Sequence, residues 1–164
     1  MELFTGSGVA LVTPFDENGD VNYSRLREIL EFHVINHTDA IIVTGTTGEG
    51  STLSDEEKIS VIEFTVDIIN SRIPVIAGTG SNDTRHAVEF SKRVEKLGVD
   101  GLLVVTPYYN KGNENGIYEH YKAIAEGVKI PVILYNVPSR TGVNLSIPLL
   151  KRLAQIENIT ALKE

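Results

Sequence analysis

Short, β-branched apolar runs alternate along the chain with longer segments in which apolar residues recur every three or four positions. The runs at 8–13, 40–44, 74–79, 101–106, 131–136 and 159–163 predict strands, and the periodic segments at 23–35, 54–70, 84–97, 117–128 and 147–154 predict helices. Ser54-Asp55-Glu56-Glu57 reads as a capping box and Leu97-Gly98 as a helix end. Alternating strands and helices imply an α/β fold with a parallel sheet. From the second strand onward, strand starts at 40, 74, 101, 131 and 159 lie about 30 residues apart, the spacing of β-α units.

The connections are asymmetric. Those leaving strand ends are long or polar ("TGTTGEGSTLS", "GTGSNDT", "TPYYNKGNENG", "NVPSRTGVNLS"), whereas "SRIP", "LGVDG" and "VKIP" return to the next strand directly. Chemistry is therefore expected on the face formed by the strands' C-terminal ends. No single dinucleotide fingerprint follows the first strand, and polar residues recur at the ends of the second to sixth. That distribution favours a (β/α)8 TIM barrel over an open doubly wound sheet. Six strands and five helices are predicted where a closed barrel has eight of each. Residues 1–164 are accordingly expected to form a partial TIM-barrel catalytic domain with its C-terminal β/α units absent. The open edges of the first and sixth strands are expected either to be covered in an oligomer or to leave a marginal monomer.

Composition narrows the function classes. The 164 residues are 41% hydrophobic, contain no cysteine and carry 15 basic against 22 acidic side chains, a net charge of -7. Disulfides and thiolate metal sites are excluded, and the acidic balance disfavours nucleic acid and anionic membrane as partners. No secretory signal precedes Gly6, and no apolar run approaches the roughly 20 residues of a bilayer span, which points to the cytoplasm. His33 and His37 stand at a helical spacing compatible with metal ligation but have no acidic partner nearby, so they are read as packing or solvent-facing, and no metal is expected. Asp55 with Lys58, and Glu89 with Arg93, fit helix-surface pairs. Gly78 and Gly80 are read as allowing tight packing at the barrel mouth rather than phosphate binding.

In "ITALKE", a period of two puts Ile159, Ala161 and Lys163 on one face. If that face lines the barrel, Lys163 is an amine at its catalytic end; otherwise it is a lysine reaching into solvent. Each neighbouring polar residue has a similar pair of readings. Thr46 and Thr47 could cap a Gly-rich turn, Tyr135 could fill the core, and Arg140 could be a surface cation.

"GTTGEG" (45–50), "TPYYNK" (106–111), "YNVPSRTG" (135–142) and "ALKE" (161–164), in this order and spacing, resemble the dihydrodipicolinate synthase/N-acetylneuraminate lyase family of class I aldolases, from about Gly6 to Glu164. The resemblance implies that Lys163 forms a Schiff base with pyruvate, with no other cofactor. It implies that Tyr135 is the general acid/base, and that Thr46 and Tyr109 complete a proton relay. Thr47 would hold the pyruvate carboxylate, and Arg140 the carboxylate of L-aspartate 4-semialdehyde. Within the family, Thr46-Thr47 and Arg140 side with the members that condense these two substrates on the route to diaminopimelate and lysine. The alternatives are another pyruvate-dependent aldolase of the family or a non-catalytic barrel fragment. A homo-oligomer, a dimer of dimers with Tyr109 acting across the tight interface, is also implied. Asp55, Lys58 and His86 stand where lysine-inhibited members carry other residues, so feedback inhibition by lysine is expected to be weak or absent.

Overall fold

A computed structural model describes residues 3–164. The apolar runs form β1 (Gly8–Ala10), β2 (Ala40–Val43), β3 (Val75–Gly78), β4 (Gly101–Val105), β5 (Val132–Tyr135) and β6 (Ile159–Lys163), all parallel and in chain order across one sheet. Between them lie α1 (Tyr23–Ile35), α2 (Asp55–Ile69), α3 (Thr84–Glu95), α4 (Glu114–Gly127), α5 (Pro138–Thr141) and α6 (Ile147–Leu153). Strict nearest-neighbour order is that of a barrel wall, whereas a doubly wound sheet reverses direction part-way. The six strands are thus a partial (β/α)8 barrel whose edges are β1 and β6.

Two apolar layers hold the wall. On the outside, Ile41, Val43, Val75, Leu102, Val104, Val132 and Leu134 pack under the helices, against residues such as Leu26, Ile62, Phe90 and Ile124. On the inside, Ala40, Ile76, Leu103 and Ile133 meet Ile42 and Tyr135, with Leu3 and Phe4 packed against them. Burial on both faces is why the strands read as continuous apolar runs. β2 to β5 each stop one residue before the run does, at Thr44, Thr79, Thr106 and Asn136. Three of these still extend the ladder: the N–H groups of Thr79, Thr106 and Asn136 donate to the carbonyls of Leu103 (3.1 Å), Tyr135 (3.0 Å) and Lys163 (2.9 Å).

The helices follow their capping chemistry. Ser54 accepts from the Glu57 N–H at 3.2 Å while Glu57 reaches back to the Ser54 N–H at 2.7 Å, completing the capping box. α4 begins at Glu114, ahead of its first apolar residue, because Asn113 caps it by accepting from Gly116 N–H at 2.9 Å. The four-residue α5 is too short to show a period and is absent from the pattern-based reading. α1 ends at Ile35, and His37 lies beyond it with φ 58°, so His33 and His37 do not share a helix face; His33 Nδ1 instead meets Thr38 Oγ1 at 3.0 Å. Lys58 pairs with Asp55 at 3.4 Å, but Arg93 reaches Glu56 on α2, at 3.8 Å, rather than Glu89 on its own helix.

On α4, His120 is buried at 4% exposure. Its Nδ1 shares a 2.8 Å hydrogen bond with Thr84 Oγ1, and its Nε2 is buried with no partner among the described residues. Burial pushes its pKa down to about 4, with the charge of Asp83 opposing.

One register differs from the alternation expected for β6. Val132 pairs with Ile159 but Ile133 pairs with Ala161, leaving Thr160 as an extra residue in a bulge. Ile159 therefore packs on the helix side with Val132, while Ala161 and Lys163 follow Ile133 and Tyr135 on the barrel side. Ile159 does not share a face with Lys163. Leu162 points outward and is 39% exposed.

Candidate active site

At the end of β2 the chain turns sharply. Thr44 has φ 54°, unusual for a β-branched residue, and is buried, with its hydroxyl donating to the carbonyls of Val43 (2.8 Å) and Gly78 (3.2 Å). Two glycines permit this turn. A Cβ on Gly50 would lie 2.2 Å, and on Gly78 2.6 Å, from the Thr44 carbonyl oxygen. The glycines of "GTTGEG" and "GTGS" thus serve close backbone packing, as expected for Gly78. The turn leaves Thr46 and Thr47 exposed at the barrel mouth.

A cavity of about 370 Å³ opens at this end of the sheet, walled by Thr46, Gly78, Leu103, Tyr108, Tyr135 and Arg140, among others. Tyr135 enters it from the end of β5. Its carbonyl is held by Thr106, whose N–H and Oγ1 donate at 3.0 and 3.1 Å. Thr106 Oγ1 also meets Tyr121 Oη at 3.0 Å, and Tyr121 Oη reaches the Val104 carbonyl at 3.3 Å. Burial pushes the Tyr121 phenol well above the usual range, so it remains a neutral hydrogen-bonding strut.

Lys163, half-buried at the end of β6, sets its Nζ 4.3 Å from the centroid of the Tyr135 ring. Residues Tyr135 and Lys163 are register partners, so the parallel ladder itself places the amine beside the phenol. Ammonium over a phenol face is worth on the order of ~0.5–1 kcal/mol, enough to bias a lysine rotamer without immobilising it. Among the described residues Lys163 forms no ion pair.

The predicted site residues divide. Lys163 and Tyr135 are in contact, and Thr46 and Arg140 share the cavity wall with Tyr135. Thr47 is exposed on the same turn but does not line the cavity. Tyr109 is 89% exposed, has φ 73° and also lies off the wall.

The far wall of the cavity carries Lys58, His86 and Phe90. His86 Nε2 meets Asp55 Oδ2 at 2.6 Å and its ring stacks on Phe90, while Lys58 Nζ sits 5.3 Å over the same Phe90 ring. Burial of Asp55 would raise its pKa, but the His86 hydrogen bond and charge, together with Lys58, outweigh it and hold the carboxyl below the usual range. Among the described residues no group of His, Cys, Asp and Glu is arranged to hold a metal ion, and no helix is long and apolar enough to cross a membrane.

Sequence reasoning did not single out Thr106, Tyr121, Asn136, Asn144 or Glu164 as a supporting shell. Thr106 and Asn136 each end an apolar run with a buried polar side chain, and that was the available signal.

A model of the dihydrodipicolinate synthetase family matches residues 3–164. A 4-hydroxy-tetrahydrodipicolinate synthase of Acetivibrio thermocellus is 60% identical over 99% of this chain and 55% of that protein. Among solved structures, a dihydrodipicolinate synthase of Aquifex aeolicus is 54% identical with a TM-score of 0.96, over 98% of this chain and 55% of that one. The chloride-inhibited dihydrodipicolinate synthase of Acinetobacter baumannii, complexed with pyruvate, is 52% identical with a TM-score of 0.95, over 96% and 54%. The chain spans about half the length of the curated relatives it matches.

Proposed function

The chain belongs to the dihydrodipicolinate synthetase family, and we propose that it carries the Schiff-base chemistry of a 4-hydroxy-tetrahydrodipicolinate synthase, condensing pyruvate with L-aspartate 4-semialdehyde. The carrying observation is the Lys163 amine 4.3 Å over the Tyr135 ring at the catalytic end of the barrel. The neutral amine attacks the keto carbon of pyruvate, a C–N bond forms, and the keto oxygen leaves as water. The iminium then draws electrons from the methyl carbon, which loses a proton and becomes an enamine. That carbon attacks the aldehyde carbon of the semialdehyde, and displacement of Lys163 by the product's own amine frees the enzyme.

Every step moves a proton, and a phenol beside the amine can give and take one. Tyr135 has this role, supported by its contact with Lys163, and Thr46 extends the relay from the same cavity wall. Arg140, on the last turn of α5, receives the semialdehyde carboxylate, for which a planar fork is suited. Thr47 and Tyr109 are assigned on their motifs alone, to the pyruvate carboxylate and the relay respectively. The exposed ring of Tyr109 fits a homo-oligomer, a dimer of dimers, in which it serves a neighbouring subunit's site. The reading calls for no cofactor beyond the covalent pyruvate and for a cytoplasmic protein.

The test is borohydride reduction in the presence of pyruvate, followed by intact mass and peptide mapping. A single adduct on Lys163, absent from Lys163→Ala, is expected. A folded protein left unmodified at Lys163 refutes the assignment.

A further inference from the structure

We infer that Asn136 is a positioning residue whose side-chain amide holds the Glu164 carboxylate away from the Lys163 amine, an assignment that rests on the Schiff-base reading above. Asn136 directly follows Tyr135 and is 1% exposed. Its N–H donates to the Lys163 carbonyl at 2.9 Å, so it ties the end of β6 to β5 next to the reacting pair. Its side chain is saturated: Nδ2 donates to Asn144 Oδ1 at 2.8 Å and to Glu164 Oε1 at 2.9 Å, and Oδ1 accepts from Leu145 N–H at 3.2 Å.

The chemistry gives this arrangement a purpose. A carboxylate beside an amine favours the ammonium form, and only the neutral amine attacks a ketone. Glu164 is adjacent in sequence to Lys163 and has a side chain long enough to fold back over the strand end. The titratable groups on the cavity wall are Tyr108, Tyr135, Arg140, Lys58 and His86, none of them a carboxylate. The nearby Asp55 is taken up by His86 and Lys58. Glu164 is the carboxylate next to Lys163 in the chain, and the Asn136 amide is its competing partner. An aspartate at position 136 would keep the shape but lose both donors.

The experiment is competitive labelling of the full chain with trace acetic anhydride, which reports neutral amines without pyruvate, read by peptide mass with exposed Lys151 as internal reference. Asn136→Asp should release Glu164 and lower Lys163 labelling relative to Lys151 roughly tenfold, the factor that corresponds to a contact of ~1.4 kcal/mol. Asn136→Asp combined with Glu164→Gln exchanges donor and acceptor, and labelling should return to the wild-type level. Loss through a merely distorted strand would not be rescued by removing the charge. If Asn136→Asp does not fold, Asn136→Ser with and without Glu164→Gln makes the same comparison. Wild-type labelling in the single variant, or a double variant as slow as the single, overturns the inference. Pyruvate adducts trapped with borohydride should follow the same order. Labelling that follows it while the wild type forms no adduct overturns the aldolase reading and leaves the role of Asn136 standing.

Discussion

Acid sensitivity should be governed by one imidazole far from the amine. His120 must give up most of its contact with water to sit between α3 and α4, with Thr84 on Nδ1 and, among the described residues, no partner on Nε2. Its pKa falls from 6.5 to about 4 on folding. Because the folded-state value is depressed, the unfolded chain binds the extra proton first, and stability declines as the pH drops from 6.5 towards 4. The slope is about 1.4 kcal/mol per pH unit in that window, giving ~2 kcal/mol by pH 5 and about 3 kcal/mol by pH 4. At pH 5 ordinary carboxylates are still largely ionised, so this first loss belongs to the histidine. Urea titrations followed by circular dichroism at pH 7, 6 and 5 measure it. His120→Asn, whose side chain can still bond Thr84, should be less stable at pH 7 because ring volume is lost, yet nearly flat between pH 6.5 and 5. An unchanged slope in His120→Asn would place the titrating group elsewhere and refute the reasoning.

Tyr135→Phe keeps the ring under Lys163 and removes the proton carrier, so pyruvate adducts should still form but about 10²-fold more slowly, or worse, in rapid-quench trapping; an unchanged rate would remove Tyr135 from the relay. Gly78→Ala drives a methyl to within 2.6 Å of the Thr44 carbonyl, and a loss of ~1–3 kcal/mol is expected in thermal or urea unfolding; a neutral substitution would mean that the turn at Thr44 moves freely.

Much of the architecture is legible along the chain because both faces of each strand are covered. Ile41 and Val43 meet helices while Ala40 and Ile42 meet the barrel interior, so the runs are apolar throughout and stand out against polar loops. The Ser54 capping box is legible because both of its partners are local. What escapes is whatever depends on a neighbouring element. The bulge at Thr160 is a relation between β6 and β5, and no property of "ITALKE" alone reveals it. Arg93 turns from Glu89 to Glu56 because α2 lies beside α3. Of the site residues, Tyr135, Thr46 and Arg140 line one cavity and Lys163 touches it only through the Tyr135 ring, while Thr47 and Tyr109 stand off the wall. The Asn136 cluster joins residues 8 and 28 positions apart and carries no local pattern.

The surplus residue in β6 gives that strand a parity. Counting from Ile159, which is anchored under the helices, an uninterrupted strand would return to the helix side at every second residue, and Lys163 would land there with it. Thr160 advances the count by one, and the amine arrives in the barrel instead. Smoothing the bulge with every residue kept would bring Leu162 opposite Tyr135 and turn the amine to the helix side, whereas deleting Thr160 would close the ladder and leave Lys163 opposite Tyr135. The address of the reactive group is thus written as an odd or even number of residues, counted together with the bulge that absorbs one of them.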